Sequence, residues 1–206
     1  MKKFSAGYRL IQPDWFARPA TEVAPDTIGC TLVRQFPNGE VLRGAIVESE
    51  AYTPDDPACH AYRRQTERNA VMFGPPGRTY VYLIYGMYYC LNFVTDLDTV
   101  PSAVLIRAVQ LETVPAWIDL AKESKLDRVA AGPGKLCRAL KIDRHLNGFP
   151  LQVGAPLWLE HRTPEFQQGI ETGTVSLTQT TRIGLSQGID LPWRWYLSDC
   201  PAVSKR

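Results

Sequence analysis

Apolar and polar residues alternate along several segments of the chain, which is the pattern expected of β-strands that bury one face. The segments with this pattern are residues 31–35, 41–52, 79–85, 87–95, 102–109, 174–179 and 193–198. Pro37-Asn-Gly39 is a turn signal between the first two, and Tyr85-Gly86 makes the connection between the third and fourth equally short. The pattern therefore predicts antiparallel strand pairs, with a meander over residues 79–109.

Helical patterns are fewer and lie outside these strands. Residues 111–127 and 133–142 have helical patterns, and a short helix is predicted to begin at Asp14. Residues 53–77 form a long, proline-rich and charged connection, and an ordered loop of that length in a compact domain usually has a function. Strands at the centre with helices around them indicate an α+β fold, with a curved antiparallel sheet flanked by helices.

The composition is that of one globular domain. The chain has 206 residues, of which 45% are hydrophobic and 21% are charged, so we expect a single domain over residues 1–206. Five cysteines far apart in sequence favour reduced thiols. Apolar runs are too short for a signal peptide or a membrane span. We therefore expect a cytoplasmic protein without a membrane partner and, because no exposed apolar stripe is evident, a monomer.

Positive charge is concentrated in two stretches although the net charge is only +2. The basic residues of these stretches are Arg63, Arg64, Arg68 and Arg78 in the first and Arg128, Lys135, Arg138, Lys141 and Arg144 in the second. Two basic patches could form a face that binds phosphates. Two ordinary solvated surfaces would give the same pattern, so charge alone leaves both interpretations open.

Two carboxylates on the second strand are candidates for acid–base chemistry. Strand alternation places Ile46, Glu48, Glu50 and Tyr52 on one face, with the glutamates ~6.6–6.8 Å apart along the strand. That separation falls near the ~6.5–9.5 Å of inverting glycosidases, so a two-carboxylate glycoside hydrolase is one interpretation. Two surface glutamates on an edge strand are another. Arg107 lies in an otherwise apolar run and needs a carboxylate partner, for which either glutamate is a candidate.

Tyrosines are concentrated around the predicted hairpin. Tyr80 and Tyr82 share one strand face, and Tyr85 at the tip would project outward, where a side chain can enter a DNA groove. Asn92 on the returning strand offers a donor and an acceptor to a base edge. Ordinary packing of tyrosines in a sheet, and an asparagine that satisfies backbone groups, are the structural alternatives. For Tyr80 packing is the preferred interpretation.

Two glycine-containing segments have features of phosphate sites. Gly132-Pro-Gly-Lys135 is predicted to open a helix, whose free amides and dipole favour an anion. Arg182-Ile-Gly184 is a weaker signal of the same kind. Cys59-His60 lacks the further histidines and cysteines of a zinc site, so no metal is expected.

These segments, in this order, resemble the alkyladenine DNA glycosylase family, also called 3-methyladenine DNA glycosylases. The resemblance runs over about residues 14–198, and Tyr80-Val-Tyr-Leu-Ile-Tyr-Gly-Met-Tyr-Tyr-Cys-Leu-Asn92 is its most specific part. Other matching segments are Gly44-Ala-Ile-Val-Glu-Ser-Glu-Ala-Tyr52, Ala58-Cys-His60, Thr66-Glu-Arg-Asn69, Val104-Leu-Ile-Arg107, Gly132-Pro-Gly-Lys-Leu136 and Arg182-Ile-Gly184. The family implies a single α+β domain that removes alkylated or deaminated purines from double-stranded DNA.

The resemblance also implies roles in the chemistry and in binding the base. Glu50 would be the general base that activates water against C1′ of a flipped nucleotide, and Arg107 and the Leu185 carbonyl would help to place that water. Tyr52 and Tyr82 would stack on the extruded base. The residues expected around that base are Tyr52, Ala58, His60, Tyr82 and Asn92. Asn92 would oppose normal guanine by crowding its amino group.

A further set of residues is expected to contact DNA outside the base pocket. Its members are Tyr85, Met87, Arg68, Lys135, Gly134, Arg182 and Gly184. Tyr85 would fill the space that the flipped nucleotide leaves in the duplex. The family implies no metal or organic cofactor, and, in a bacterium, a place with the nucleoid in the cytoplasm. Because no lysine lies around Glu50, we expect hydrolysis by water without strand cleavage.

Two departures from the family pattern and one further alternative qualify these expectations. Ala61-Tyr-Arg-Arg-Gln65 lacks the glycine usual after the histidine, and Gln110-Leu111 replaces the usual Glu-Pro. A non-catalytic module that binds damaged DNA could use the same aromatic platform and basic patches. It stands as an alternative to the enzyme, beside the less favoured glycoside hydrolase.

Overall fold

The computed structural model describes residues 9–123 and 125–205. Its strands are β1 Thr31–Gln35, β2 Val41–Tyr52, β3 Thr79–Ile84, β4 Tyr88–Thr95, β5 Ser102–Leu111, β6 Leu157–Glu160, β7 Leu177–Thr180 and β8 Arg194–Leu197. Its helices are α1 Ala20–Thr27, α2 Pro133–Ala139 and α3 Pro164–Glu171, with 3-10 turns at Pro13–Phe16, Ala70–Phe73, Leu126–Arg128 and Arg144–Leu146. Among the described residues, no helix is long and apolar enough to cross a lipid bilayer.

The eight strands form one curled antiparallel sheet with helices around it, which confirms the α+β prediction. The main strand order is β3-β4-β5-β2-β1-β6, and β8 pairs with both β2 and β7. The bounds of β1 and β2 and the meander β3–β4–β5 agree with the sequence prediction. A hydrophobic core extends from Ile11 to Trp195 along the chain and packs on this sheet.

β2 is the central element, because it pairs with β1, β5 and β8. Every residue from Ile46 to Ala51 is buried, so this part of the strand is covered on both faces. The pairing with β5 shifts register between Ile46 and Glu48 and again between Glu48 and Ser49. The interpretation of Glu48 and Glu50 as surface residues on an edge strand is therefore wrong.

Several elements differ from the sequence prediction. The described residues of the 111–127 stretch do not form the predicted helix: β5 continues to Leu111, Glu112 donates its amide to the Arg43 carbonyl, and turns and bends follow up to residue 122. Pro115 lies in this segment, and a proline removes a helical hydrogen bond and obstructs the preceding turn. Helices α1 and α3 and strand β6 were not predicted.

The long connection at residues 53–77 is held in place by two buried side chains. Asn69 accepts a hydrogen bond from the Thr66 amide and donates to the carbonyls of His60 and Arg64. Asp56 accepts from the Ala58 amide. Both side chains substitute for backbone partners that a loop lacks, and they fix the conformation of the loop around His60.

Candidate active site

Four buried charges form a continuous chain of ion pairs beneath the sheet surface: Arg194–Glu48–Arg107–Glu50, called the ion-pair chain below. Arg194 Nε lies 2.8 Å and Arg107 Nε lies 3.0 Å from Glu48 Oε1. Arg107 Nη1 lies 3.1 Å from Glu50 Oε1. Arg107 was expected to pair with one of the two glutamates, and it pairs with both. Two positive and two negative charges balance, which offsets the cost of their burial.

Glu50 is fully buried, yet all its hydrogen-bond partners line a surface groove. Its Oε1 also accepts from the Ile183 amide at 2.9 Å, and its Oε2 accepts from the Tyr52 hydroxyl at 2.8 Å. Tyr52, Arg107 and Ile183 all line a groove of about 420 Å³, called the outer groove below. Three donors fix the orientation of the carboxylate.

A second cavity of about 210 Å³, called the base cavity below, adjoins the outer groove. Five residues line both of them: Tyr52, Tyr82, Ile84, Gly184 and Leu185. All the residues expected to surround a base line the base cavity, namely Tyr52, Ala58, His60, Tyr82 and Asn92. The structure therefore brings these five residues together around one cavity. Aromatic walls with a few polar groups suit a flat, partly polar ligand.

His60 presents a neutral imidazole to the base cavity. Its Nδ1 lies 2.9 Å from the Tyr80 hydroxyl, and its ring packs edge-on against Tyr82 with centroids 4.5 Å apart. Partial burial lowers the pKa of His60, and the positive charge of Arg68 adds to that effect, bringing the pKa to about 4. Because Nδ1 is engaged by Tyr80, Nε2 is the nitrogen left for a ligand.

Asn92 is buried, and its amide nitrogen donates to the Tyr80 carbonyl at 3.0 Å. This bond satisfies a backbone group, as the structural alternative for Asn92 anticipated, and it also fixes the side chain at the wall of the base cavity. Burial raises the pKa of Tyr80 and of Tyr82, so both hydroxyls stay protonated at neutral pH. Tyr80 is almost fully buried, which confirms the packing interpretation.

The tip of the β3–β4 hairpin, residues Tyr85, Gly86 and Met87, projects beside the outer groove. Tyr85 and Gly86 both have positive φ angles, 52° and 69°, which produce the tight turn. Tyr85 is 79% exposed and Met87 is 67% exposed, and Tyr85 lines the outer groove. Large apolar side chains so exposed have little role in packing and suit contact with a partner.

Comparison with known proteins identifies the family of this chain. A sequence model of the methylpurine-DNA glycosylase family matches residues 14–201. The chain belongs to the methylpurine-DNA glycosylase family. A protein of Trichodesmium erythraeum is 56% identical over 97% of this chain and 100% of its own length, and one of Carboxydothermus hydrogenoformans is 46% identical over 96% and 100%. Both are named "putative 3-methyladenine DNA glycosylase".

Membership of this family shows a DNA glycosylase that acts on alkylated purines, a hydrolase of base excision repair. A relative from Methanocella arvoryzae, with the same name, is 46% identical over 96% of both chains. The described residues of the glycosylase contain no group of three or more His, Cys, Asp or Glu side chains placed to hold a metal ion.

The residues expected to contact DNA fall into two groups in this glycosylase. Tyr85, Gly134, Lys135 and Gly184 line the outer groove. Gly134 lies so close to the Tyr88 ring that a Cβ would come within 3.0 Å of it, so glycine allows α2 to approach the hairpin. Arg68 does not line the outer groove. Its guanidinium carbon lies 5.2 Å from the Tyr82 ring centre.

Arg182 does not have the surface position that a phosphate contact requires, so that expectation is corrected. It is 6% exposed, and its guanidinium forms a buried, two-point ion pair with Asp56. It also donates to the Ala51 carbonyl at 2.9 Å and lies 4.6 Å from the Tyr52 ring centre. Arg182 supports the back of the base cavity, because it ties the 53–77 connection to the segment that carries Ile183 and Leu185.

Much of the second basic stretch is already engaged within the protein. Lys135 and Arg138 both pair with Glu123, with Lys135 Nζ 3.1 Å from Glu123 Oε2. Arg128 donates to the carbonyls of Pro201, Val203 and Ser204. Of the two open interpretations of this stretch, the structure favours surface ion pairs and structural contacts over a continuous phosphate face.

Three contributors to the site were not found from the sequence. The Ile183 amide reaches Glu50 from a residue 133 positions away, Asp56 holds Arg182 from 126 positions away, and Asn69 shapes the His60 loop. Thr66-Glu-Arg-Asn69 was part of the family resemblance, so a signal for Asn69 existed in the sequence. Arg182-Ile-Gly184 was part of it too, although nothing in that segment indicated that the Ile183 amide contacts Glu50. The pairing of Asp56 with Arg182 carries no comparable local signal.

Proposed function

We propose that this glycosylase flips damaged purines out of duplex DNA and hydrolyses their N-glycosidic bond with a water molecule activated by Glu50. The purines in question are 3-methyladenine, 7-methylguanine, hypoxanthine and ethenoadenine. The observation that carries the proposal is the position of Glu50 behind Tyr52, a residue shared by the base cavity and the outer groove. This position supports the proposal, because Tyr52 borders both the cavity proposed for the base and the groove proposed for the DNA backbone.

The base cavity supplies stacking and polar recognition in this mechanism. An extruded base would lie against Tyr52 and Tyr82, with His60 and Asn92 at its edges. Alkylation at N3 or N7 makes a purine cationic, and an electron-rich tyrosine face attracts a cation by about 0.5–2 kcal/mol. A neutral His60 adds no repulsion to that cation, because its pKa is lowered to about 4.

The chemical step transfers one proton and exchanges one bond. Water attacks C1′ as the bond from C1′ to the base nitrogen breaks, and that electron pair leaves with the base. Glu50 accepts the proton from water, and the products are the free base and an abasic site. Arg107 and the Leu185 carbonyl help to place the water. A cationic base is already a good leaving group, so one carboxylate is sufficient for such lesions.

Hydrolysis by water, without strand cleavage, is supported by the groups that contact Glu50. They are an arginine, a tyrosine hydroxyl and a backbone amide, none of which forms a Schiff base with a sugar. Lys135 lines the outer groove, but its amine is paired with Glu123. The enzyme is therefore proposed to be monofunctional. It is further proposed to act as a monomer on double-stranded DNA and to work in the cytoplasm.

The glycoside-hydrolase alternative loses its support from the positions of the two glutamates. Glu48 contacts Arg107, Arg194 and the Ser204 amide, and the latter two do not line either cavity. A second carboxylate is therefore not presented to the groove.

Base release from duplex oligonucleotides with hypoxanthine, ethenoadenine or 7-methylguanine tests the proposal. We expect wild type to produce abasic sites, and Glu50→Gln to reduce the single-turnover rate by about 10²–10⁴-fold, the usual contribution of a general base, while lesion binding persists. Glu160→Gln is the matched control, since Glu160 is also a buried, arginine-paired carboxylate but lies on β6. Undiminished release by Glu50→Gln would remove Glu50 as the base. Tight lesion binding without release by wild type would point to the binding module.

A further inference from the structure

Glu48 is the buried carboxylate for which the proposed mechanism has no use. It has no exposed surface, and its two oxygens accept from Arg107, Arg194 and the Ser204 amide. A carboxylate in the protein interior is costly unless its partners are well placed. Glu48 meets that condition, and its position beside Arg107 lets it act on the orientation of that side chain.

Arg107 is held at two separate points of its guanidinium. Nε is bound to Glu48 at 3.0 Å, while Nη1 faces Glu50 at 3.1 Å. The guanidinium is planar, so fixing Nε also fixes the direction in which the Nη groups point. Without Glu48, the contact with Glu50 would be the single ionic restraint on the end of this side chain among the described residues.

Glu48 is itself held by the segment Cys200–Lys205. The Ser204 amide donates to Glu48 Oε2 at 2.7 Å, and Arg194, which binds Glu48 Oε1, also donates to the Lys205 carbonyl. Arg128 secures the same segment through the carbonyls of Val203 and Ser204 at 2.8 Å. Val203 is buried against Val47, next to Glu48 in β2.

We propose that Glu48 is a positioning residue: it orients Arg107 toward Glu50, and the Ser204 amide in turn holds Glu48 in place. The Cys200–Lys205 segment, which lines neither the base cavity nor the outer groove, thereby becomes part of the catalytic apparatus. This inference rests on the proposed role of Glu50 as the base. It adds two residues, Glu48 and Ser204, through which the reaction can be slowed without any change in the surfaces that contact DNA.

The test separates lesion binding from the chemical step. Glu48→Gln keeps the shape of the side chain and removes its charge. Ser204→Pro removes the amide donor, and with it the hydroxyl and part of the freedom of the backbone. For Glu48→Gln we expect the single-turnover rate of base release to fall about 10- to 100-fold, the size of effect that a misplaced group produces, while affinity for abasic-site DNA changes less than about two-fold. A smaller loss of rate in the same direction is expected for Ser204→Pro.

Matched controls distinguish positioning from a general loss of structure. Ser204→Ala keeps the amide and removes a hydroxyl that has no hydrogen-bond partner among the described residues, so it should react at the wild-type rate. Glu160→Gln breaks a buried pair remote from Arg107 and should lower the melting temperature without slowing folded enzyme. Equal slowing in Glu160→Gln would reduce Glu48 to a structural role.

The outcome for Glu50→Gln, measured beside these variants, keeps the two proposals apart. If Glu50→Gln is inactive and Glu48→Gln retains the wild-type rate, the positioning role is overturned while the base stands. If Glu48→Gln is inactive and Glu50→Gln is active, Glu48 itself is the base and both assignments fail. Should Glu48→Gln not fold, a wild-type rate in folded Ser204→Pro would still overturn the positioning role.

Discussion

Arg107 of the ion-pair chain and Tyr85 of the hairpin tip line the same groove, but these two regions differ completely in exposure. In the ion-pair chain each charged group has at least one partner of opposite charge, and both glutamates are inaccessible to solvent. At the hairpin tip, Tyr85 is 79% exposed. A change in the first region leaves a buried charge unbalanced, so stability and chemistry change together. A change in the second removes little packing, so binding to DNA can change while the fold does not.

The largest effect is expected from breaking the ion-pair chain at its centre. Arg107→Met would leave Glu50 without a cation, and removing one partner of a buried pair costs about 3–5 kcal/mol of unfolding free energy. Urea unfolding measures that loss, and base release should disappear with it. Arg138→Met is the control, because Arg138 pairs with Glu123 at the surface, where such pairs contribute about 0–1 kcal/mol. Equal losses in the two variants would contradict the contrast between the regions.

A second, smaller effect is expected at the hairpin tip, and in binding alone. Tyr85→Ala should weaken binding to abasic-site DNA by about 1–3 kcal/mol, the usual contribution of stacking between an aromatic side chain and a base. Its melting temperature should equal that of wild type, because the ring is largely exposed. Leu97→Ala removes another exposed apolar side chain, 63% exposed, and should affect neither property. Wild-type affinity in Tyr85→Ala would count against insertion into the duplex.

The smallest effect concerns His60, which lies between the two regions at the base cavity. Its folded pKa, about 4, is below its ordinary value of 6.5, so between these values the unfolded chain binds a proton that the folded chain does not. This group therefore lowers stability as the pH falls from 6.5 to 4. His60→Asn should remove that contribution, which is less than about 1 kcal/mol because the ring is partly solvated. Urea unfolding at several pH values between 4 and 6.5 gives the stability of both proteins as a function of pH. Two parallel stability curves would mean that His60 keeps its ordinary pKa in the folded protein, and would contradict the prediction.

The sequence was most informative where local rules determine the structure. Alternation defined β1 and β2, and the Tyr85-Gly86 turn defined the hairpin, because both depend on neighbouring residues alone. The need of Arg107 for a carboxylate followed from its apolar surroundings, since a lone buried charge is unstable. These inferences required no knowledge of distant contacts, and the structure confirms each of them.

Features set by distant contacts were missed or misjudged. Burial of β2 on both faces and its register shifts at Glu48 depend on β5 and β8, so alternation could not show how Glu48 and Glu50 differ. Arg182 was taken for a phosphate contact because its partner, Asp56, lies in a loop 126 residues earlier. Pairing of Leu111 with Gly44 also extended β5 into the start of the helix predicted over 111–127, ahead of Pro115.

The burial of the cysteines has a consequence for an enzyme that works wherever alkylating agents have reached DNA. All five thiols are buried, and two of them, Cys59 and Cys90, line the base cavity and the outer groove respectively. Burial raises the pKa of Cys90, and it raises that of Cys59 to about 11. The thiolate is the nucleophilic form of cysteine, so these side chains are nearly inert at neutral pH. The repair enzyme is thereby shielded from the electrophiles whose damage it removes.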